Sequence, residues 1–418
     1  MKNTKRKKPN QFNSQEAARH KNMYFQKLLE VASALTTEDV SKLFNKEVLN
    51  QIYEHRCRLI KVVADERLNL TSDELKEVKD AILYKLKSNL WKIKNTGKEV
   101  VLYDFAGPGL SLLSGLNILQ KKEPEKYARL ISAFSDFMET PESLVDLQKI
   151  IYSSTNLIGW ELTEPDRRYV SLKVTYKIYK CTTPYIYIEV MLNVFPTETV
   201  SVNLDGNVRS AFRVGLTSND SEPIWAKMNA QQLGIDHLAA DTIVPVYIQK
   251  HALNRLKERI DCAEHFMILL NLVVSLEKGK VVNYRGNRLI EFQFLKNKIG
   301  YLLIDIKNDI AVIRTFLILT HFDTPEGDNL HRIIGLEKPD ITYLNLDKLS
   351  TFVLSNIRKK PVVRDLFTRA GCEKLLEVVK KDFERDTYTN RAETIEAYLL
   401  KYQEHKEQLN MDSLINFE

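Results

Sequence analysis

VYIQKHALNRLKERIDCAEHFMILLNLVVSLEKGKVVNYRGNRLIEFQFLKNKIGYLLIDIKNDIAVIRTFLILTH, residues 246–321, carries a strand, a polar helix, an apolar helix and three successive strands in one run. The helix expected over Gln249–Ile260 gathers Leu253, Leu256 and Ile260 on one side, so that side packs. The other side carries His251, Arg255 and Arg259 at i, i+4 and i+8, within about 80° of one another at a helical twist of about 100° per residue. Tyr284-Arg285-Gly286-Asn287-Arg288 is a basic turn at the edge of the hairpin that follows. Arg314 interrupts the apolar strand Ala-Val-Ile-Arg-Thr-Phe-Leu, and His321 closes it. A charge in so apolar a strand needs a partner or water, and Asp305, Asp309 and Glu291 are the candidate partners.

Upstream, Val170, Leu172, Val174, Tyr176 and Ile178 alternate with polar residues, which marks a half-buried strand. A second strand returns over Tyr185–Phe195. A third runs from Thr199 to Leu204, where Asp205-Gly206 turns it into Val208–Val214. This meander is expected to continue into the central segment or pack on it. Residues 14–160 read as helical: Leu28, Val31, Ala32 and Leu35 recur at helical spacing, as do Leu49, Ile52, Tyr53 and Leu59–Ile60. Thr71 and Glu74 form a capping box opening a helix that reaches about Trp91. Phe105-Ala-Gly-Pro-Gly-Leu110 lacks the Lys-Ser/Thr of a phosphate-binding loop and is expected to initiate an apolar helix. Beyond His321, Asp323-Thr-Pro-Glu-Gly327 is a turn-rich loop, and helices are expected over 347–358, 364–381 and 391–408.

The fold class is therefore α+β: a disordered basic tail (1–13), a helical domain (14–163), a central mostly antiparallel sheet with two helices (164–345) and a C-terminal helical segment (346–418). Of the formal net charge of +6, five units sit on Lys2, Lys5, Arg6, Lys7 and Lys8, ahead of the first acid at Glu16. The body is nearly neutral, so any polyanion contact has to be local. Residues 248–300 supply one, with ten Lys/Arg against five acids. The four cysteines are far apart and form no C-x-x-C, which fits a reducing, cytoplasmic setting and no structural zinc. No apolar run approaches the ~20 residues of a membrane span. His321 and His331, with Asp323 and Glu326, have no recognised ligand spacing, and neither a metal nor a cofactor is expected. No dinucleotide, phosphate-loop, zincin, serine-hydrolase or kinase motif is present.

The strand, the helix HALNRLKER, the second helix and the strand meander together resemble the RelE/BrnT-like toxin superfamily of small bacterial ribonucleases. There a His-Ala-x-x-Arg-x-x-x-Arg helix precedes the sheet, matched here by His251, Ala252, Arg255 and Arg259, and the likeness covers about 75 of 418 residues. It implies metal-independent cleavage of RNA by 2′-OH attack on the adjacent phosphate. His251 would be the general acid/base, Arg255 and Arg314 would hold the phosphate, and Arg259, Arg285 and Arg288 would bind RNA backbone. The basic residues that such enzymes carry on the sheet are reduced here to Arg314 and the turn residues, so an inactive relative fits the resemblance too. The alternative is a non-enzymatic interaction or scaffold protein whose helical regions bind protein partners, with the His/Arg face simply solvated.

Overall fold

A computed structural model describes residues 14–93, 95–138, 141–179, 185–218, 222–378 and 392–400. The basic tail 1–13, the turn Thr182-Thr183-Pro184 and the end of the helix expected over 391–408 lie outside the described residues. The fold class is α+β, as the patterning predicts. The chain divides into two compact units, residues 1–159 with 171–194, and residues 160–170 with 195–418.

In the first unit, helix α1 (Ser14–Leu35) buries Leu28, Val31, Ala32 and Leu35, the face its spacing marks out. Helix α2 (Lys46–Glu54) is capped by Asn45, whose side chain accepts the Val48 N–H at 2.9 Å. The chain then departs from the helical reading: Arg58–Ala64 is a strand, β1. It lies parallel to Tyr185–Pro196 (β3), which is flanked on its other side by Arg168–Tyr179 (β2), giving the order β1-β3-β2. The run Ile60-Lys-Val-Val63 is β-branched, and pairing with β3 outweighs the helical spacing of Leu59 and Ile60. Helix α3 (Ser72–Ser88) opens on the full Thr71/Glu74 capping box but ends before Trp91, because Asn89 is extended. The Phe105–Gly109 turn is a π-helical turn running directly into helix α4 (Leu110–Lys122). The close approaches of Gly109 to the Phe105 ring and of Gly115 to Ile52 leave no room for a Cβ.

The second unit is built on one large sheet. Its strands are β4 (Thr199–Leu204), β5 (Asn207–Arg213), β6 (Lys227–Asn229), β7 (Ile243–Gln249), β8 (Val281–Tyr284), β9 (Asn287–Phe294), β10 (Asn297–Lys307) and β11 (Ile310–Ile318). The order is β8-β9-β10-β11-β7-β5-β4, with β6 beside β7, and every neighbour is antiparallel except β7 and β11. The hairpins are set by two-residue turns with both central residues at positive φ: Asp205-Gly206, Arg285-Gly286, Leu295-Lys296 and Asn308-Asp309. The first of these divides β4 from β5 where the Asp-Gly signal places it. The second splits the run 281–294, so the organising segment ends in four strands rather than three.

Helices α5 (Lys250–Arg259) and α6 (His265–Lys278) cover one face. Ala252, Leu253, Leu256, Ile268, Leu272 and Leu276 join the same core as Val246, Ile248, Ala311 and Ile313 of the sheet. The other face has a small core of its own: Val202, Leu204, Ala211, Tyr247 and Val312. The C-terminal helices share the main core through Leu349, Phe352, Leu366, Phe367 and Leu399, and so pack with the sheet. The expected central domain beginning at 164 differs from the structure, where residues 171–194 belong to the first unit. The helix expected over 364–381 is broken at Gly371, whose φ of 84° closes helix Pro361–Ala370 before Glu373–Glu377 begins.

Candidate functional site

The resemblance to the toxin ribonucleases requires His251, Arg255 and Arg314 to meet. The structure does not bring them together. His251 is exposed near the start of α5. Arg255, one turn on, is paired with Glu258 at 2.6 Å. Arg314 is a bulged residue: Thr315 opposes Leu303 and Ile313 opposes Ile304, leaving Arg314 without a cross-strand partner. Ile313 faces the helices, whereas Arg314 shares the side of Val312, on the opposite face of the sheet. There its guanidinium is gripped by two carboxylates, Asp205 in the β4–β5 turn and Asp305 at 3.2 Å. Asp305 is one of the partners the sequence suggests. Asp309 instead pairs with His237 at 2.7 Å, and Glu291 lies 3.8 Å from Lys298.

The residues expected to bind RNA backbone are also engaged. Arg285 meets Asp328 at 2.8 Å, and the same carboxylate accepts the Tyr284 hydroxyl at 2.5 Å. Arg288 donates to the Gly234 carbonyl at 3.4 Å. Arg259 is not on the wet face of its helix. It is buried, donates to the Phe316 carbonyl at 3.2 Å, and has its Nε buried without a partner among the described residues. Helical spacing groups Arg259 with His251 and Arg255, but eight residues turn the helix about 80°, enough to carry Arg259 to the edge of the packed side.

What the structure does assemble is a different group: Arg259, Arg255, His321 and Asp347. Burial pulls the Arg259 guanidinium below its ordinary value, and the Asp347 carboxylate opposes that shift. Burial pushes Asp347 up, and Arg259 opposes it in turn. His321 is pushed down to about 4, first by burial and then by the charge of Arg259, with Asp323 acting the other way. Its Nδ1 accepts the Asp323 backbone N–H at 3.2 Å, the neutral form's geometry. His321 is therefore an uncharged imidazole at neutral pH beside a buried arginine. Its signal in the sequence is only a histidine at the end of an apolar strand, which does not reveal the neighbours.

A pH consequence follows. The folded pKa of His321 lies below the ordinary histidine value of about 6.5, so the native state takes up its proton later than the unfolded chain does. The neutral form's contribution is intact above pH ~6.5 and is lost as pH falls toward ~4, at a cost of about 3 kcal/mol. We expect urea unfolding of the second unit to show this loss and His321→Gln to flatten it. An imidazole titrating near 6.5 by NMR would contradict the arrangement.

Two other histidines of the unit, His265 and His331, are structural. His265 Nε2 lies 2.7 Å from the Thr163 carbonyl, and Glu161 caps the same helix by accepting the Phe266 N–H at 2.9 Å. His331 Nδ1 lies 2.6 Å from the Leu336 carbonyl. Among the described residues no cluster of three metal-ligating side chains occurs, and no helix is long and apolar enough to cross a membrane. Compared with known proteins, the chain matches no family model, no curated protein and no solved structure.

Proposed function

We propose that the chain works by binding, as an interaction protein, and not through a toxin-type ribonuclease centre. The observation that carries this reading is the double carboxylate grip on Arg314, on the sheet face away from His251 and Arg255. A phosphate held by all three would have to be reached from both sides of a sheet, far beyond charge-assisted hydrogen-bond distance. Binding to an RNA backbone is disfavoured for a related reason. Arg255, Arg285, Arg314 and Lys250 already have carboxylate partners, the last at Asp166. Paired cations release few counterions from a polyanion.

The feature suited to a protein partner is edge strand β4, Thr-Val-Ser-Val-Asn-Leu, which among the described residues pairs only with β5. It carries no charge and no proline to blunt its free row of backbone groups, so an extended peptide could add to it.

The test is incubation of labelled RNA in EDTA with the wild-type protein, His251→Ala and Arg314→Ala, with binding followed at low and high salt. We expect no cleavage and no salt-sensitive retention, with Arg314→Ala showing only lower stability. Cleavage that both folded variants lose would overturn the proposal, as would tight binding stripped by salt.

A further inference from the structure

The first unit contains a cavity of about 940 Å³ that nothing in the preceding reading uses. Three segments wall it. His20, Met23, Tyr24 and Lys27 come from one face of α1, Arg56, Cys57 and Ile60 from the α2–β1 junction, Tyr103 and Asp104 from the short helix before the π-helical turn, and Ala106, Gly107 and Pro108 from that turn. A π-helical turn widens the local backbone and recurs at binding sites, and here it forms a wall. Ser111 fixes that wall against the junction: its hydroxyl donates to the Gly107 carbonyl at 2.7 Å and accepts the Cys57 N–H at 2.7 Å.

The lining is chemically asymmetric. Met23, Ile60, Tyr103 and Pro108 supply an apolar body. The charged groups are Lys27 and Arg56 against a single acid, Asp104; Lys27 meets Asp104 at 3.4 Å and Glu30 at 2.7 Å, which leaves Arg56 as the lining cation without a carboxylate among the described residues. Arg56 is held flat, 3.9 Å above the Tyr53 ring, with Nη1 donating to the Tyr53 carbonyl at 2.8 Å. The Tyr53 ring in turn packs edge-on against Tyr24 at 5.2 Å. This positions the Arg56 charge near Tyr24, whose own hydroxyl is buried toward Ser111.

We infer that this cavity is a binding site for a small amphipathic anion, a carboxylate or sulfonate on an apolar body. The anionic group accepts from the free edge of the Arg56 guanidinium, and the apolar part lies against Met23, Ile60 and Pro108. A cationic ligand is disfavoured because the one lining acid, Asp104, is already paired with Lys27. The volume is within the range of sites for small organic ligands. This inference stands apart from the interaction reading above, since it concerns the other unit.

The experiment titrates the full-length protein with the fluorescent anion 1-anilinonaphthalene-8-sulfonate and competes it with decanoate and with decyltrimethylammonium. Three variants are compared. Gly107→Phe fills the cavity from a position where an added Cβ meets nothing within 4 Å, so the fold tolerates it. Arg56→Gln removes the charge at the polar end, and Tyr24→Phe, which removes a hydroxyl buried away from the cavity surface, is the control. We expect one saturable site, displaced by decanoate and not by the ammonium, weakened at least tenfold by Gly107→Phe and by Arg56→Gln and unaltered by Tyr24→Phe, in variants that still unfold cooperatively. Non-saturating fluorescence, equal competition by both amphipaths, or affinity unaltered in folded Gly107→Phe would each overturn the assignment.

Discussion

Replacing Glu326 by alanine is expected to destabilise the second unit by about 3 kcal/mol, the cost typical of stripping one partner from a buried ion pair. Glu326 lies in the first turn of helix Pro325–Ile334 and is only 8% exposed. One of its oxygens, Oε1, accepts from Lys298 Nζ at 2.6 Å and from the Tyr301 hydroxyl at 3.0 Å. Burial works against the Lys298 charge, yet the Glu326 contact more than offsets it and the amine is held above its ordinary value. Tyr301 is pushed up to about 12, by burial first and by the same carboxylate second. Without Glu326, the lysine keeps only the Tyr301 hydroxyl and Glu291 at 3.8 Å. The helix would also lose an anion at its positive end. Urea unfolding measures this, with Trp160 and Trp225 fluorescence reporting the second unit and Trp91 the first. Adding Lys298→Met to Glu326→Ala should recover part of the loss, since both charges are then gone. A loss under 1 kcal/mol, or strict additivity, would show that the pair is solvated and contributes little.

The same helix shows how far the sequence could be read. Thr324-Pro325-Glu326 has an N-cap, a proline at the first helical position and an early acid, and Thr324 caps the helix by accepting the Gly327 N–H at 3.0 Å. Those signals were open to inspection, but Gly327 three residues in suggests a loop, and the loop reading hides the helix. Other features obeyed local rules and were legible: the Thr71/Glu74 capping box, the buried face of α1, the Asp205-Gly206 hairpin and the two helices ahead of the sheet. Features set by distant pairing were not. β1 becomes a strand because β3 lies beside it, and Leu295-Lys296 adopts positive φ without a glycine because the flanking strands impose the turn. The site suffered most from this limit. The helical wheel places Arg255 correctly on a wet face but cannot show that Glu258 neutralises it. Nor can periodicity show that a bulge at Arg314 turns it toward Asp205, more than a hundred residues earlier in the chain. The grouping of Arg259 with His321 and Asp347 depends on three elements meeting, which no single segment encodes.

Gly327→Ala should be the most damaging single methyl in the protein, at about 4 kcal/mol, toward the upper end of what overpacking and backbone clashes cost. An added Cβ would lie 1.9 Å from the His321 carbonyl oxygen and 2.5 Å from its carbon. Neither atom can retreat easily. That carbonyl accepts the Thr324 N–H at 3.0 Å and lies 2.6 Å from the Thr324 hydroxyl, while the His321 N–H is tied to Ile318 at 2.9 Å. Relief would require shifting the end of β11 or abandoning the Thr324 cap. Either would also displace His321 from beside Arg259, so the acid-dependent loss of stability attributed to that imidazole should weaken in whatever folded population remains. The control is Gly107→Ala in the other unit, where an added Cβ meets nothing within 4 Å and the change should be neutral or slightly stabilising. The melting transition reported by Trp160 and Trp225 should fall by roughly 8–16 °C for Gly327→Ala at this unit size. If the two alanine variants melt together, the turn from His321 to Gly327 has slack that its hydrogen bonds do not allow, and the placement of His321 against Arg259 fails with it.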